Sequence, residues 1–331
     1  MADLYKEFEK FHDRIALTPG EKDSLRKSRD AIRERIRHYF REKLEVKVPN
    51  FHGQGSFAMI TTVNPLDGEF DIDDGVYLQH LSEVDDSKWP TPETVHRWLV
   101  EAIDGHTNEK PIDKRTCVRV RYAGQYHVDL PSYAILNGEY MLAEKEEKGW
   151  HRSDPKALTD WFKDSVKKNG EQLRRIVRYL KAWANFQAGG RGKMPSGLIL
   201  TVLAVRNFRP NERDDVSLAD TVAAISVAVN PIFCVFNPVD NTEELTSRLS
   251  DTQKARFQDA ISDLTSDGSE AVNHVSKKKA SEIWREQFGD RLPLVEEEEE
   301  ESDEKQQRKK DATSLATVYA ARNPSKPWAD E

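Results

Sequence analysis

Two aspartates in the segment 69–80 have a spacing that could bind a metal ion. Asp71 and Asp73 lie two residues apart among apolar residues, a pattern that predicts a strand. On an extended strand, side chains two residues apart project from the same face, so the two carboxylates lie side by side. Adjacent carboxylates repel each other unless a cation or a proton neutralises them. The pair therefore indicates a divalent-metal site, and the alternative is a solvated turn at a strand end.

A third carboxylate lies on a later predicted strand. Asp129 interrupts the apolar segment 126–135, and we expect a neighbouring antiparallel strand to bring it beside the first two. Three carboxylates suit two Mg²⁺ ions, or Mn²⁺, that hold a triphosphate for attack by a hydroxyl. The alternative is that Asp129 ends its strand before Pro131. We expect His127 to point to the face opposite Asp129 and to be structural.

A turn of small residues, "GQGSF", precedes the paired aspartates. Gly53 and Gly55 allow close backbone approach, and the amide and hydroxyl of Ser56 can donate to phosphate oxygens. Gly-Ser pairs are common, so the turn is weak evidence when taken alone. Followed by the paired aspartates, it predicts a phosphate cradle beside a metal site.

Hydrophobic periodicity predicts the elements that position these residues. A long amphipathic helix covers 21–46, and a further helix follows Pro92. Three predicted strands are rich in Val, Ile, Tyr and Phe, namely 69–80, 116–123 and 126–135. From Ser153 the pattern becomes helical for about thirty residues, with an interruption near Gly170, and continues in helices after Ser196 and at 216–229, 243–265 and 268–288.

These elements define an α/β (α+β) protein, in which a mixed sheet is backed by a long N-terminal helix and closed by a helical C-terminal lobe. We assign residues 1–150 to the sheet-containing lobe and 151–293 to the helical lobe. Residues 294–331 contain six consecutive glutamates, and such a segment buries too little apolar area to order itself. We expect this tail to be flexible.

Composition narrows the classes of partner. The formal net charge of −8 provides no basic field for standing nucleic-acid binding, so no obligate nucleic acid is expected. The first residues lack the apolar core of a secretory leader, and no run of eighteen apolar residues occurs. We expect a cytoplasmic protein with no membrane association.

The motifs Gly55-Ser56, Asp71-Ile72-Asp73 and Asp129 resemble the pattern of the DNA polymerase β-like nucleotidyltransferase superfamily. Further segments narrow the resemblance, namely "QGSF", "FDIDDGVYL", "YHVDLPSYAI", "SDPKALTDWFKDSV" and "RRIVRYLKAW". Together they are similar to the cGAS/DncV-like nucleotidyltransferases of bacterial CBASS anti-phage systems, the CD-NTases, and nearest to the DncV-type cyclic dinucleotide synthases. The resemblance covers roughly residues 20–250.

The resemblance implies a set of site residues. Contacts to a donor triphosphate are implied for Gln54, Gly55, Ser56 and Phe57, and Mg²⁺ ligation by Asp71, Asp73 and Asp129. Asp129 would also assist deprotonation of the attacking ribose hydroxyl. Further nucleotide contacts are implied for Arg119, Lys181, Ser196 and Asp240.

The resemblance also implies an activity. The enzyme would condense ATP and GTP into a cyclic oligonucleotide, most simply a cyclic dinucleotide such as cGAMP, with release of pyrophosphate. A separate effector protein would respond to this product in anti-phage defence, alongside CBASS accessory proteins, and we expect the synthase to be a monomer. The alternatives are a cyclic trinucleotide synthase, a nucleotidyltransferase acting on RNA or protein, and a catalytically dead nucleotide sensor.

Helical spacing supports Lys181 independently of the resemblance. Arg174, Arg178 and Lys181 share one face of a predicted helix, while an apolar stripe occupies another face. The apolar stripe can pack the helical lobe while the basic face meets a triphosphate across a cleft. The alternative is a basic face that is only solvated.

Overall fold

The computed structural model describes residues 1–66, 70–82, 84–122 and 126–296, with 303–305, 307–308 and 310–313. Its helices are α1 (Tyr5–Ile15), α2 (Pro19–Glu42), α3 (Gly55–Ala58), α4 (Pro92–Ile103), α5 (Pro155–Asn169), α6 (Glu171–Arg191), α7 (Gly197–Asn207), α8 (Asp214–Val229), α9 (Asp251–Asn273) and α10 (Lys277–Phe288). Its strands are β1 (Asn50–Gln54), β2 (Phe70–Tyr77), β3 (Ile112–Asp113), β4 (Val118–Tyr122), β5 (Tyr126–Leu130), β6 (Ser132–Leu136), β7 (Glu139–Glu144), β8 (Gly149–Arg152), β9 (Phe236–Asn237) and β10 (Asp240–Glu244). The mixed α/β (α+β) fold class is confirmed.

The sheet-containing half of the fold is built on a mixed sheet with the strand order β3-β4-β5-β2-β6-β7-β8, and β1 also pairs with β2. Strand β2 runs parallel to both β5 and β6, while the other pairs in this sheet are antiparallel. The expectation that Asp129 lies on an antiparallel neighbour of the aspartate pair is therefore wrong. A parallel pairing is possible because β3, β4 and α4 separate β2 from β5 along the chain.

The predicted strand 126–135 is two strands. Pro131 separates β5 from β6, and its ring leaves no N–H for a sheet ladder. Its carbonyl still accepts a hydrogen bond from the Val76 amide at 2.8 Å. Both strands therefore flank β2, β5 beside its first half and β6 beside its second half.

Helix α2 covers the predicted 21–46 segment and begins two residues earlier. Thr18 and Glu21 form a capping box at its start, which satisfies amides that the first turn leaves free. Its Ile32, Ile36 and Phe40 are fully buried in the core beneath the sheet.

The helical lobe has its own hydrophobic core, and α1 belongs to it. Phe8, Phe11 and Ile15 of α1 are fully buried there with Tyr179 and Trp183 of α6. The assignment of residues 1–150 to one lobe thus fails for the first helix. Its closely spaced aromatic residues predict a buried face, but the sequence does not show which core receives that face.

Two predicted helices of the second lobe have different bounds. Residues 240–244 form β10, which pairs with β9, where we predicted the start of a helix at 243. Helix α9 begins after Ser250, which forms a capping box with Gln253, and α9 ends at Asn273 inside the predicted helix 268–288. The interruption near Gly170 is confirmed, because Gly170 separates α5 from α6 with a φ of 85°.

Much of the tail predicted to be flexible, residues 294–331, lies outside the described residues. The described parts of 303–313 are helical, and Lys277 Nζ lies 2.6 Å from Asp303 Oδ2. Among the helices described, none has both the length and the apolar character needed to cross a membrane.

Candidate active site

The three aspartates meet at one end of β2 and β5. Asp73 is paired with Asp129 across the parallel ladder, and Asp71 is paired with His127. Because residues two apart on a strand share a face, Asp71 and Asp73 project from the same side of β2, toward the same cleft. The local pattern therefore predicted the face of this pair, and the parallel register supplies the third carboxylate.

Two of the three carboxylates already have cationic or hydrogen-bonding partners. Arg119, the residue opposite Asp129 on β4, donates two parallel hydrogen bonds to it at 2.6 and 2.8 Å. The Nε2 atom of His127 contacts Asp71 Oδ1. The prediction that His127 faces away from Asp129 is wrong, since the two-residue spacing places both on one face of β5.

Asp73 differs from its two neighbours. Burial and the negative charges of Asp129 and Asp71 raise the pKa of Asp73 to about 7. Burial also acts to raise the pKa of Asp71, but the hydrogen bond and charge of His127 outweigh it and lower that pKa. The negative charge at Asp73 is therefore the least compensated of the three.

The Gly-Ser turn lies directly against Asp73. Gln54 ends β1, and Gly55 begins the short helix α3 with a φ of 65°, in the left-handed region. A Cβ atom on Gly55 would lie only 2.1 Å from Asp73 Oδ2, so no larger residue fits there. On the other side of the turn, Ser56 Oγ lies 3.0 Å from Thr62 Oγ1.

Gln54 forms a wall between two cavities. A cleft of about 750 Å³ between the lobes is lined by the Gly-Ser turn, Asp71, Asp73 and Lys181. A second cavity of about 480 Å³ is lined by Asp73, Asp129 and Asp240. Gln54 and Asp73 line both cavities, and the Gln54 amide Nε2 donates to the Tyr133 hydroxyl at 3.1 Å.

Lys181 enters the interlobe cleft from α6. Its ammonium donates to Thr61 Oγ1 at 2.9 Å, and burial together with the charge of Arg178 lowers its pKa to about 7. The predicted basic face of α6 is packed and not merely solvated. Arg178 donates to the Ile60 carbonyl at 2.6 Å, and Arg174 pairs with Glu171.

The remaining predicted residues lie nearby but at different distances from the carboxylates. Phe57 is partly buried and packs against the core beneath the sheet. Ser196 does not itself line the interlobe cleft, although its neighbours Pro195 and Gly197 do, and its hydroxyl accepts from the Ile199 amide as the N-cap of α7. Asp240 lines the second cavity and accepts from the hydroxyl and amide of Thr242.

The chemistry of the carboxylates fits a divalent cation, and their geometry shows which side chains must rotate to bind one. Asp71, Asp73 and Asp129 provide oxygen donors, and at Asp73 burial and the negative charges of its two neighbours outweigh the positive charges nearby. Among the described residues, no group of three His, Cys, Asp or Glu side chains is arranged to hold a metal ion. Asp71 and Asp129 would have to turn from His127 and Arg119 to ligate one.

Sequence reasoning missed several residues that contact the site. Thr61 and Thr62 line the interlobe cleft, and their hydroxyls partner Lys181 and Ser56. A Cβ atom on Gly75 would lie 2.8 Å from Gln54 Oε1, so this glycine makes room for the wall residue. The adjacent threonines after the Gly-Ser turn and the glycine after Asp-x-Asp-Asp were the available signals.

The sheet, the Gly-Ser turn against paired aspartates and the helical second lobe define a nucleotidyltransferase fold. The family described as "Cyclic GMP-AMP synthase DncV-like, nucleotidyltransferase domain" matches residues 49–133. "Cyclic GMP-AMP synthase, C-terminal domain" matches residues 170–299. With both domains in the expected order, the chain belongs to the DncV-like nucleotidyltransferase family.

Sequence relatives agree with this assignment. A cyclic GMP-AMP synthase of Escherichia albertii is 32% identical over 218 residues, covering 63% of this chain and 48% of that protein. The cyclic GMP-AMP synthase of Vibrio cholerae is 27% identical over 233 residues, covering 54% of this chain and 51% of that protein. The chain thus spans about half the length of these relatives in the alignments.

Solved structures extend the similarity to both lobes. The crystal structure of Vibrio cholerae DncV cyclic AMP-GMP synthase matches with a TM-score of 0.75 at 22% identity, covering 88% of this chain and 98% of that chain. The same enzyme in complex with the linear intermediate 5' pppA(3',5')pG matches with a TM-score of 0.71 at 22% identity, covering 89% and 99%. At this identity the similarity establishes the fold.

Proposed function

We propose that this protein condenses nucleoside triphosphates, ATP and GTP, into a cyclic oligonucleotide with release of pyrophosphate, and that the product is a cyclic dinucleotide such as cyclic GMP-AMP. The observation that carries the proposal is the position of Asp73, which lines two cavities at once, one of them beside the Gly-Ser turn. Such an arrangement suits two nucleotides that react across one carboxylate set. The related cyclic GMP-AMP synthases support the choice of product.

The donor triphosphate would lie in the interlobe cleft. The Ser56 hydroxyl and the backbone at Gly55 supply donors for phosphate oxygens, and the Lys181 ammonium faces the same cleft from the second lobe. The Gln54 side chain separates this triphosphate from the second nucleotide, while Phe57 supports the turn from the core side. These residues would orient the α-phosphate toward Asp73.

The acceptor nucleotide would occupy the second cavity. Asp129 lines this cavity, so its carboxylate is placed to take the proton of the attacking ribose hydroxyl. Arg119, which now pairs with Asp129, would contact the nucleotide once that carboxylate turns to the reaction centre. Asp240 on the cavity wall would contact the base. Ser196, which lies between the cleft-lining residues Pro195 and Gly197, would contact a nucleotide.

Two Mg²⁺ ions, with Mn²⁺ as a substitute, would be held by Asp71, Asp73 and Asp129. When bound, these ions neutralise triphosphate charge and favour ionisation of the attacking hydroxyl. The raised pKa of Asp73 agrees with a carboxylate whose neutralising partner is a ligand.

The cellular setting belongs to the same proposal. We place the reaction in the cytoplasm of a bacterium, carried out by a monomer with no membrane or obligate nucleic-acid partner. The product would activate a separate effector in CBASS anti-phage defence, and accessory proteins of that system would be further partners.

Product analysis tests the proposed activity. The purified protein is incubated with each pair of nucleoside triphosphates and Mg²⁺, and products that resist phosphatase are resolved by mass spectrometry. We expect a cyclic dinucleotide containing adenine and guanine, and no product from the Asp71→Ala, Asp73→Ala double variant.

Other products would revise or overturn the proposal. A cyclic trinucleotide would keep the reaction and change the product. Transfer of a nucleotide to RNA or protein, or product from the double variant, would overturn it.

A further inference from the structure

The short helix α3 ends in a motif that normally requires glycine. The Ile60 amide donates to the Phe57 carbonyl at 3.1 Å, and the Thr61 amide donates to the Ser56 carbonyl at 2.8 Å. These two bonds are those of a Schellman cap, whose first residue beyond the helix is left-handed and is usually glycine. Here that position is Ile60, with a φ of 57°.

Isoleucine is a poor residue for this conformation. Its β-branched side chain makes a positive φ a true outlier, which persists only where the surroundings impose it. Ile60 is 49% exposed, so burial of its apolar surface contributes little free energy to offset the unfavourable φ. Some other contact must therefore hold the residue in place.

Arg178 supplies that contact from the helical lobe. One guanidinium nitrogen, Nη2, donates to the Ile60 carbonyl at 2.6 Å, and the other, Nη1, lies 2.5 Å from His12 Nε2. Burial and the charge of Arg178 lower the pKa of His12, which favours the neutral ring that can accept this hydrogen bond. Arg178 is itself buried, so α1 and α6 together fix its direction.

The position of Ile60 affects the residues proposed to bind phosphate. A change of Ile60 to a negative φ would break the bond from Thr61 to the Ser56 carbonyl. It would also move the Thr61 hydroxyl away from Lys181 and separate Thr62 from Ser56. The whole phosphate-binding turn therefore depends on one unfavourable backbone angle.

We propose that Arg178 and Ile60 form a positioning pair, in which Arg178 of the helical lobe holds the left-handed Ile60 and thereby fixes the Gly-Ser turn for triphosphate binding. The pair couples the two lobes, because the turn has its binding geometry only when α6 is docked against it. This inference rests on the proposed function.

A double-mutant cycle tests the pair through binding of a non-hydrolysable GTP analogue with Mg²⁺, measured by calorimetry. We expect Arg178→Met to weaken binding about tenfold, since the turn then relaxes. Ile60→Gly should stay within about threefold of wild type, because glycine adopts the left-handed conformation without strain. In the Ile60→Gly background, Arg178→Met should weaken binding of the analogue by no more than about threefold.

Arg291 offers a matched control. It is another largely buried arginine that joins the helical lobe to the same segment, donating to the Asn64 and Ala182 carbonyls at 3.0 and 2.7 Å. Asn64 is not among the residues with a positive φ. Any loss of affinity for the analogue caused by Arg291→Met should therefore be the same whether residue 60 is isoleucine or glycine.

Circular dichroism melting identifies variants that fail to fold, and Arg178→Lys replaces Arg178→Met if the latter does not fold. Equal losses from the arginine substitution in the isoleucine and glycine backgrounds would overturn the positioning pair, as would rescue of Arg291→Met by glycine. Failure of wild type to bind the analogue would instead overturn the proposed function, and the inference with it.

Discussion

Two aspartates in this protein, Asp214 and Asp73, have opposite electrostatic surroundings. Asp214, at the junction of α6 and α8, accepts hydrogen bonds from Gln172, Arg175 and Tyr179 at 2.6 to 2.9 Å. Burial acts to raise its pKa, but these bonds and the charge of Arg175 outweigh it, and the pKa is lowered. Asp73, at the end of β2, faces two other carboxylates, and its pKa is raised to about 7.

The difference separates a structural carboxylate from a functional one. A buried charge with several donors contributes to folding, whereas a partly buried charge beside like charges destabilises the fold until a cation or proton arrives. Asp74 adds to the contrast, because it adjoins Asp73 but is fully buried and receives two hydrogen bonds from Arg33 at 2.7 and 2.5 Å. Of the three aspartates compared, Asp214 and Asp74 receive hydrogen bonds from arginine side chains, whereas Asp73 lies beside like charges.

The strongest test of the contrast is Asp73→Asn. We expect product formation to fall by roughly 1,000-fold or more, because the amide cannot supply the negative oxygen. The melting temperature should be unchanged or higher, since the substitution removes an uncompensated charge. Full activity, or a large loss of stability, would show that Asp73 is a structural residue like Asp214.

Asp214→Ala should have the reverse effect. Removing one member of a buried ion pair leaves Arg175 unpaired, and we expect a loss of about 3–5 kcal/mol in the free energy of unfolding. Binding of the GTP analogue by the remaining folded protein should be unchanged. The exposed Asp220, on the same helix, is the matched control, and Asp220→Ala should change stability by less than about 0.5 kcal/mol.

Gly55→Ala tests the close approach of the turn to Asp73. The added Cβ atom would clash with the carboxylate, and the left-handed φ of 65° disfavours alanine, so we expect a loss of roughly 100-fold in product formation. Gly53→Ala is the control, because no atom lies within 4 Å of its added Cβ. Similar losses in both variants would contradict the proposed geometry.

The smallest expected effect is on the pH dependence of stability. Because the pKa of Asp214 is lowered in the folded protein, its contribution is complete above the ordinary aspartate pKa of about 3.9. This stabilisation by Asp214 is lost as the pH falls through the lowered pKa that Asp214 has in the folded protein. Urea unfolding of wild type and Asp214→Ala should therefore give free energies that converge as the pH falls below about 4, and a constant difference would contradict this.

Local pattern was sufficient for the parts of the site that lie close together in sequence. The two-residue spacing predicted the shared face of Asp71 and Asp73, and the glycines marked the turn at Gly55. The structure places Asp129 beside Asp73, although the predicted antiparallel direction of its strand is wrong. Strand order and direction depend on pairings between distant segments, which no local periodicity encodes.

The rest of the site depends on contacts between the lobes. The spacing of Arg178 and Lys181 predicted a shared face, but their partners at residues 60–61 lie more than a hundred positions away. The failed prediction for His127 is different, because its two-residue spacing from Asp129 already placed it on the same face. The spacing of these two residues by itself predicts that their side chains share a face of β5.

Ligand-induced stabilisation tests the central claim, which is that the Asp73 carboxylate belongs to a binding site for metal and triphosphate. The melting temperatures of wild type and Asp73→Asn are compared with and without Mg²⁺ and a non-hydrolysable GTP analogue. At about 100 times the dissociation constant, the ligands should add about 2.7 kcal/mol to wild-type stability and far less to the variant. An equal increase in both proteins would contradict the claim.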